Sequence, residues 1–89
     1  MARLHFTPHL RRFTDTPVVD TAATTLRDAL EAAFGVNARL RGYVLDDQGA
    51  LRQHVAVYIN GRSASDRVRL TDPVGPQDEI YVLQALSGG

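Results

Sequence analysis

The chain has 89 residues, of which 44% are hydrophobic and 22% charged, a size and balance that fit one domain with a modest single core and leave no room for a second. Ten arginines balance ten acidic residues, so no charge excess points to nucleic acid or an acidic membrane surface, and no apolar run approaches the length of a membrane span. There is no cysteine and no lysine, which excludes disulfides, a thiolate nucleophile and cysteine metal sites, and leaves no internal lysine to accept an isopeptide bond.

Residues 2–7 alternate, with Leu4 and Phe6 on one face and Arg3 and His5 on the other, the period of a half-buried strand. The start, Met1-Ala2-Arg3-Leu4-His5, lacks the apolar core of a secretion signal, and a cytoplasmic location is expected. Thr7-Pro8 ends the strand, residues 9–16 are polar with Leu10 and Phe13 as anchors, and Pro17-Val18-Val19-Asp20 reads as a short second strand of a long-looped hairpin. Thr24 or Thr25 caps the next element, with Asp28 in its first turn. Leu26, Ala29, Leu30, Ala33 and Phe34 then fall on one face of a helix, and Gly35 is expected to stop it.

Residues 37–44 carry no regular pattern, although Leu40 and Val44 are placed to cover a sheet edge. Asp46-Asp47-Gln48-Gly49 is a turn by composition, and its two carboxylates, without a third ligand nearby in sequence, read as solvated surface rather than a metal or acid–base site. Val55, Val57 and Ile59 alternate with His54, Ala56 and Tyr58 in the clearest strand, which Asn60-Gly61 closes with a strong hairpin signal. Residues 62–70 are expected to return along it, with Leu70 inward and residues 63–66 exposed. Asp72-Pro73 and Gly75-Pro76 mark turns before a last strand from Glu79, in which Ile80 and Val82 face the core and Tyr81, Leu83 and Ala85 face outward.

One main helix packed on one face of a small mixed sheet buries both apolar surfaces, so the expected class is α+β. The strand then runs into Leu86-Ser87-Gly88-Gly89. Two residues without Cβ beside the α-carboxylate can stay extended and enter a narrow channel, whereas a frayed end is the structural alternative. Residues 1–85 are therefore read as the domain and residues 86–89 as a flexible tail.

In combination, His54-Val55-Ala56-Val57-Tyr58-Ile59-Asn60-Gly61, Leu70-Thr71-Asp72-Pro73, Asp78-Glu79-Ile80 and the terminal Gly88-Gly89 resemble the MoaD/ThiS family of ubiquitin-like sulfur carriers, in order and along essentially the whole chain. The resemblance implies a ubiquitin-like β-grasp fold with the first and last strands parallel at the sheet centre. It implies that an E1-like adenylating enzyme, using magnesium and ATP, activates the Gly89 carboxylate, and that a sulfur donor such as a cysteine desulfurase or rhodanese converts it to a thiocarboxylate. A downstream sulfur-accepting enzyme then takes the sulfur, and the carrier itself is no enzyme and binds no cofactor.

On this resemblance Gly89 is the adenylation and thiocarboxylate site, with Gly88 and Ser87 threading the channel. Leu83, Ala85 and Leu86, with Tyr58 and Tyr81, form the docking patch. Alanine is common in the family where Ser87 stands, and proline where Gln84 stands, so both departures lie where partners dock. The middle, residues 45–53, looks more like carriers of cysteine or siderophore-type thioacid pathways than the shorter thiazole carriers of thiamine synthesis. The rival functions are the small subunit of molybdopterin synthase, a ubiquitin-like protein modifier and a β-grasp interaction module. His5 and His54, as outward strand residues, are possible sheet neighbours, yet no HxH or HExxH spacing makes them metal ligands. Ser63, Ser65 and Asp66 read as a loop rather than part of a catalytic triad.

Overall fold

Alternation at period two builds the sheet of this protein. A computed structural model, which describes residues 1–6 and 18–84, has five strands, β1 (Ala2–Phe6), β2 (Val19–Thr21), β3 (Val55–Ile59), β4 (Arg62–Ser63) and β5 (Glu79–Gln84); alternate residues of β1, β2, β3 and β5 are buried on one side, and both residues of β4 are exposed. The order is β2-β1-β5-β3-β4. Strands β1 and β5 run parallel at the centre, and the pairs β1–β2, β3–β5 and β3–β4 are antiparallel. This is the mixed sheet of a β-grasp fold. The expected anchors Leu10 and Phe13, and the loop that holds them, lie outside the described residues.

Helix α1 (Leu26–Val36) closes the core from one side, with Leu26, Ala29, Leu30, Ala33 and Phe34 all buried. Thr25 is the cap, its hydroxyl accepting a hydrogen bond from the Asp28 N–H. The helix passes through Gly35 rather than stopping there, because the Asn37 N–H still reaches the Ala33 carbonyl. The segment expected to be irregular contains a second, short helix, α2 (Arg39–Val44). Asn37 Oδ1 accepts from the Arg39 N–H at its start, and Leu40 and Val44, one turn apart, are fully buried. Arg41 then binds α2 back onto α1, pairing with Glu31 and lying 5.0 Å over the Phe34 ring.

Residues after Asn60-Gly61 depart from the expected hairpin. Asn60 (φ 52°) and Gly61 (φ 84°) make the left-handed turn, but β4 pairs with β3 over two residues only. The Ala64 N–H still reaches the Val57 carbonyl, and Ala64 is buried rather than exposed. Beyond it, side chains take the backbone donors that a ladder would have used: Asp72 accepts from the Ser65 and Asp66 N–H groups, and Asp66 from those of Val68 and Arg69. The chain therefore curls across the core edge. Leu70 holds a positive φ of 60° there and is nevertheless buried, so core packing offsets the strain of that conformation.

Arg27 ties these irregular segments to α1. Its guanidinium donates to the carbonyls of Arg69 at 3.0 Å and Gly49 at 2.8 Å. Gly49 takes a positive φ of 82° in the turn expected from its composition, with Asp46 Oδ1 accepting from the Gln48 and Ala50 N–H groups. Asp46 thus organises the turn, and no cluster of three metal-ligating side chains occurs among the described residues.

Candidate functional site: the outer face and end of the last strand

Strand β5 is held on both sides. Against β1 it pairs Arg3 with Glu79, His5 with Tyr81 and Phe6 with Val82, and against β3 it pairs Tyr58 with Tyr81, Ala56 with Leu83 and Val55 with Gln84. Its first residue is fixed as well. Asn60 Nδ2 donates to Asp78 Oδ1 at 2.7 Å, Asn60 Oδ1 accepts from the Glu79 N–H, and the Glu79 carbonyl accepts from the Asn60 N–H. Asp78 also accepts from the Gly75 N–H, the largest of the causes that hold its carboxyl below the usual range, ahead of the Asn60 side chain and the Arg62 charge.

Alternation along β5 gives its two faces opposite roles. Ile80 and Val82 are fully buried in the core, whereas Tyr81 and Leu83 remain 42% and 39% exposed on the outer face. The register sets Tyr58 directly opposite Tyr81 and puts Leu83 beside Ala56, so three members of the expected docking patch share one surface. Ala85, Leu86, Ser87, Gly88 and Gly89 lie outside the described residues.

A polar margin borders this surface on the β1 side. The His5 ring stacks on Tyr81, with centroids 4.6 Å apart and planes 11° from parallel. Its Nε2 lies 2.7 Å from Glu79 Oε1, which makes that nitrogen the donor to the carboxylate. Arg3 Nε donates to Asp20 Oδ1 at 3.0 Å one strand further out. The Arg3 and Asp20 side chains are each about half-exposed and those of His5 and Glu79 partly so, and such solvent-screened pairs define the edge of the surface more than they stabilise the fold. His5 and His54 are not neighbours: β5 stands between β1 and β3, and His54 precedes the residue that pairs with Gln84.

Two features were not visible in the residue pattern. The parity of β1 and β5 puts His5, Glu79 and Tyr81 on one face, but only the parallel register brings them into contact. The second is at the end of the strand, where Gln84 Oε1 is buried without a hydrogen-bond partner, the one such side-chain atom among the described residues. Nothing in the sequence signals it beyond the inward parity of position 84.

The comparisons with known proteins agree with this geometry. The sequence pattern of the ThiS family matches residues 4–89. Small archaeal modifier protein 1 of Haloferax volcanii is 34% identical over 65 residues, covering 73% of this chain and 70% of that protein. Its crystal structure superposes with a TM-score of 0.78 at 28% identity, over 99% of this chain and 98% of that one. The crystal structure of the BexX/CysO complex of Amycolatopsis orientalis contains a chain with a TM-score of 0.81 and full coverage of both chains, at 18% identity, a likeness of fold. This chain belongs to the ThiS family, whose members are small ubiquitin-like sulfur-carrier and modifier proteins.

Proposed function

We propose that the protein is a sulfur carrier that works through the carboxylate of Gly89. The observation that carries this reading is the family match through both terminal glycines, joined to a last strand paired with β1 as far as Val82 and with β3 as far as Gln84. A carboxylate is a poor acyl donor until one oxygen becomes part of a leaving group. An E1-like enzyme supplies that with magnesium ATP: the carboxylate attacks the α-phosphorus, pyrophosphate leaves, and an acyl-adenylate forms. Hydrosulfide delivered by a sulfur donor then displaces AMP and leaves the thiocarboxylate, a good sulfur nucleophile for a downstream enzyme in the cytoplasm. The carrier contributes the carboxylate and a surface to hold, so no catalytic side chain is required of it.

Holding the last four residues in a channel costs roughly 4–8 kcal/mol, at about 1–2 kcal/mol per residue. Covering about 200–300 Å² of apolar surface, at ~25 cal/mol per Å², returns about 5–8 kcal/mol. The face of Tyr58, Tyr81 and Leu83 is where that surface is offered. The length of residues 45–53 favours a cysteine or siderophore-type thioacid pathway.

A second reading, protein modification, is favoured by the modifier among the relatives. In it the same acyl-adenylate passes to a lysine amine of another protein, and AMP leaves as the amide forms. Both readings are tested by incubating the protein with an E1-like adenylating enzyme, magnesium ATP and hydrosulfide, followed by intact-mass measurement. A mass gain equal to one oxygen exchanged for sulfur, localised to Gly89 and absent when Gly89 is deleted, supports the carrier. Conjugates that resist reducing agents, without that gain, favour the modifier. Full biological activity without Gly89 refutes both.

A further inference from the structure

Buried polar atoms in folded proteins nearly always have a hydrogen-bond partner, so an exception asks for a physical reason. Gln84 Oε1 is that exception here. Its position narrows the reason. Gln84 is the last residue of β5, and the alternation that buries Ile80 and Val82 turns it toward the core side, opposite Val55. A leucine or valine would continue that apolar row, whereas the carboxamide places an unsatisfied oxygen where the strand hands over to the tail. The desolvated oxygen raises the free energy of the inward side-chain position, and leaving that position breaks no hydrogen bond of the oxygen.

We infer that Gln84 is a specificity-determining contact for the activating partner: its carboxamide turns out from beneath the strand end and takes a hydrogen bond from the enzyme as the tail enters. The inference rests on the activation of Gly89 proposed above. A primary amide presents one acceptor and two donors, so it matches peptide-like groups lining the mouth of a channel that receives extended backbone. Apolar docking on Tyr81 and Leu83 supplies contact area without fixing the register of the strand end. A directed hydrogen bond at Gln84 does fix it, two residues before the tail begins.

The test compares the wild type with Gln84→Leu and Gln84→Glu, using an E1-like adenylating enzyme and magnesium ATP and following pyrophosphate release against carrier concentration. Gln84→Leu removes the buried oxygen at similar size, so its melting temperature rises by a few degrees while KM for the carrier rises about fivefold to tenfold. Gln84→Glu keeps an acceptor oxygen and stays within twofold of the wild-type KM while melting lower. Greater stability together with weaker use by the enzyme in Gln84→Leu separates a partner contact from a structural role, which would move stability alone. An unchanged KM in a folded Gln84→Leu protein, with the wild type activated normally, overturns this inference and leaves the carrier reading standing. A wild type that releases no pyrophosphate with competent enzymes overturns both.

Discussion

Truncating Tyr81 to alanine measures what the outer sheet face contributes to docking. Tyrosine buries about 150–250 Å² when fully covered. Tyr81 keeps 42% of its surface exposed in the free protein, so about 60–105 Å² remains for a partner to cover. At ~25 cal/mol per Å² that is about 1.5–2.5 kcal/mol, or roughly a 10- to 70-fold rise in KM. Leu83 is 39% exposed, and about two-fifths of the 1.5–3 kcal/mol of a fully buried leucine gives about 0.6–1.2 kcal/mol for Leu83→Ala, a threefold to eightfold rise. The assay is the initial rate of pyrophosphate release by an E1-like enzyme across carrier concentrations, separating KM from kcat. Tyr81→Ala also removes the stack with His5 and the pairing with Tyr58, so its thermal melt is recorded in parallel. Leu83→Ala has no ring contact to lose and serves as the cleaner second probe. If both variants are folded and hold KM within twofold of the wild type, this face does not dock and the energetic argument fails.

Two further predictions concern the scaffold. Leu30→Ala, at a fully buried position on α1, is expected to cost about 2–5 kcal/mol, read as a lower urea midpoint at unchanged m value. Acid is expected to destabilise the protein through the loop after β4, where the Thr71 hydroxyl, ahead of the Arg69 N–H, brings the Asp66 carboxyl down to about 2. Asp72 and Asp78 move the same way, led by the Ser65 and Gly75 N–H groups. Lowered folded pKa values mean that the unfolded chain binds protons more readily, so this stabilisation is complete above the ordinary value of 3.8 and is lost as pH falls toward about 2. Melting temperatures followed from neutral pH to pH 2 should decline most steeply in that window, and less so in Asp66→Asn. An equal decline in that variant refutes the assignment to Asp66.

What could be read from residues alone divides along physical lines. Helix α1 and strand β3 were legible because each buries one face, and burial writes its period directly into the apolar pattern. Asn60-Gly61 was legible because few residue pairs tolerate two positive φ angles in succession. Helix α2 was not, since six residues carry only the Leu40–Val44 spacing as a signal and much of its definition comes from Asn37 and Arg41. The loop after β4 failed for a related reason: whether a backbone N–H pairs with a strand or with an aspartate is decided in space. Asp66 and Asp72 look like ordinary polar loop residues until their acceptors are counted. At the candidate site, face membership of Tyr58, Tyr81 and Leu83 followed from parity, whereas the His5 stack and the unpaired Gln84 oxygen depend on register and depth.

In the proposed carrier and modifier readings the first step is shared, because both begin with the same acyl-adenylate. Their difference lies in the nucleophile that displaces AMP, and that nucleophile belongs to another molecule. The chain's own composition still bears on the outcome. With no lysine side chain, an activated Gly89 of one copy finds no ε-amine on a second copy. Branched self-conjugation through lysine isopeptide bonds is therefore closed, and the acyl-adenylate is left for hydrosulfide, for water, for an N-terminal α-amine or for amines of other proteins. Raising hydrosulfide at fixed enzyme and magnesium ATP should accordingly divert product from amide to thiocarboxylate. If the yield of amide conjugates stays constant while hydrosulfide varies over a wide range, the two products do not arise from one common intermediate.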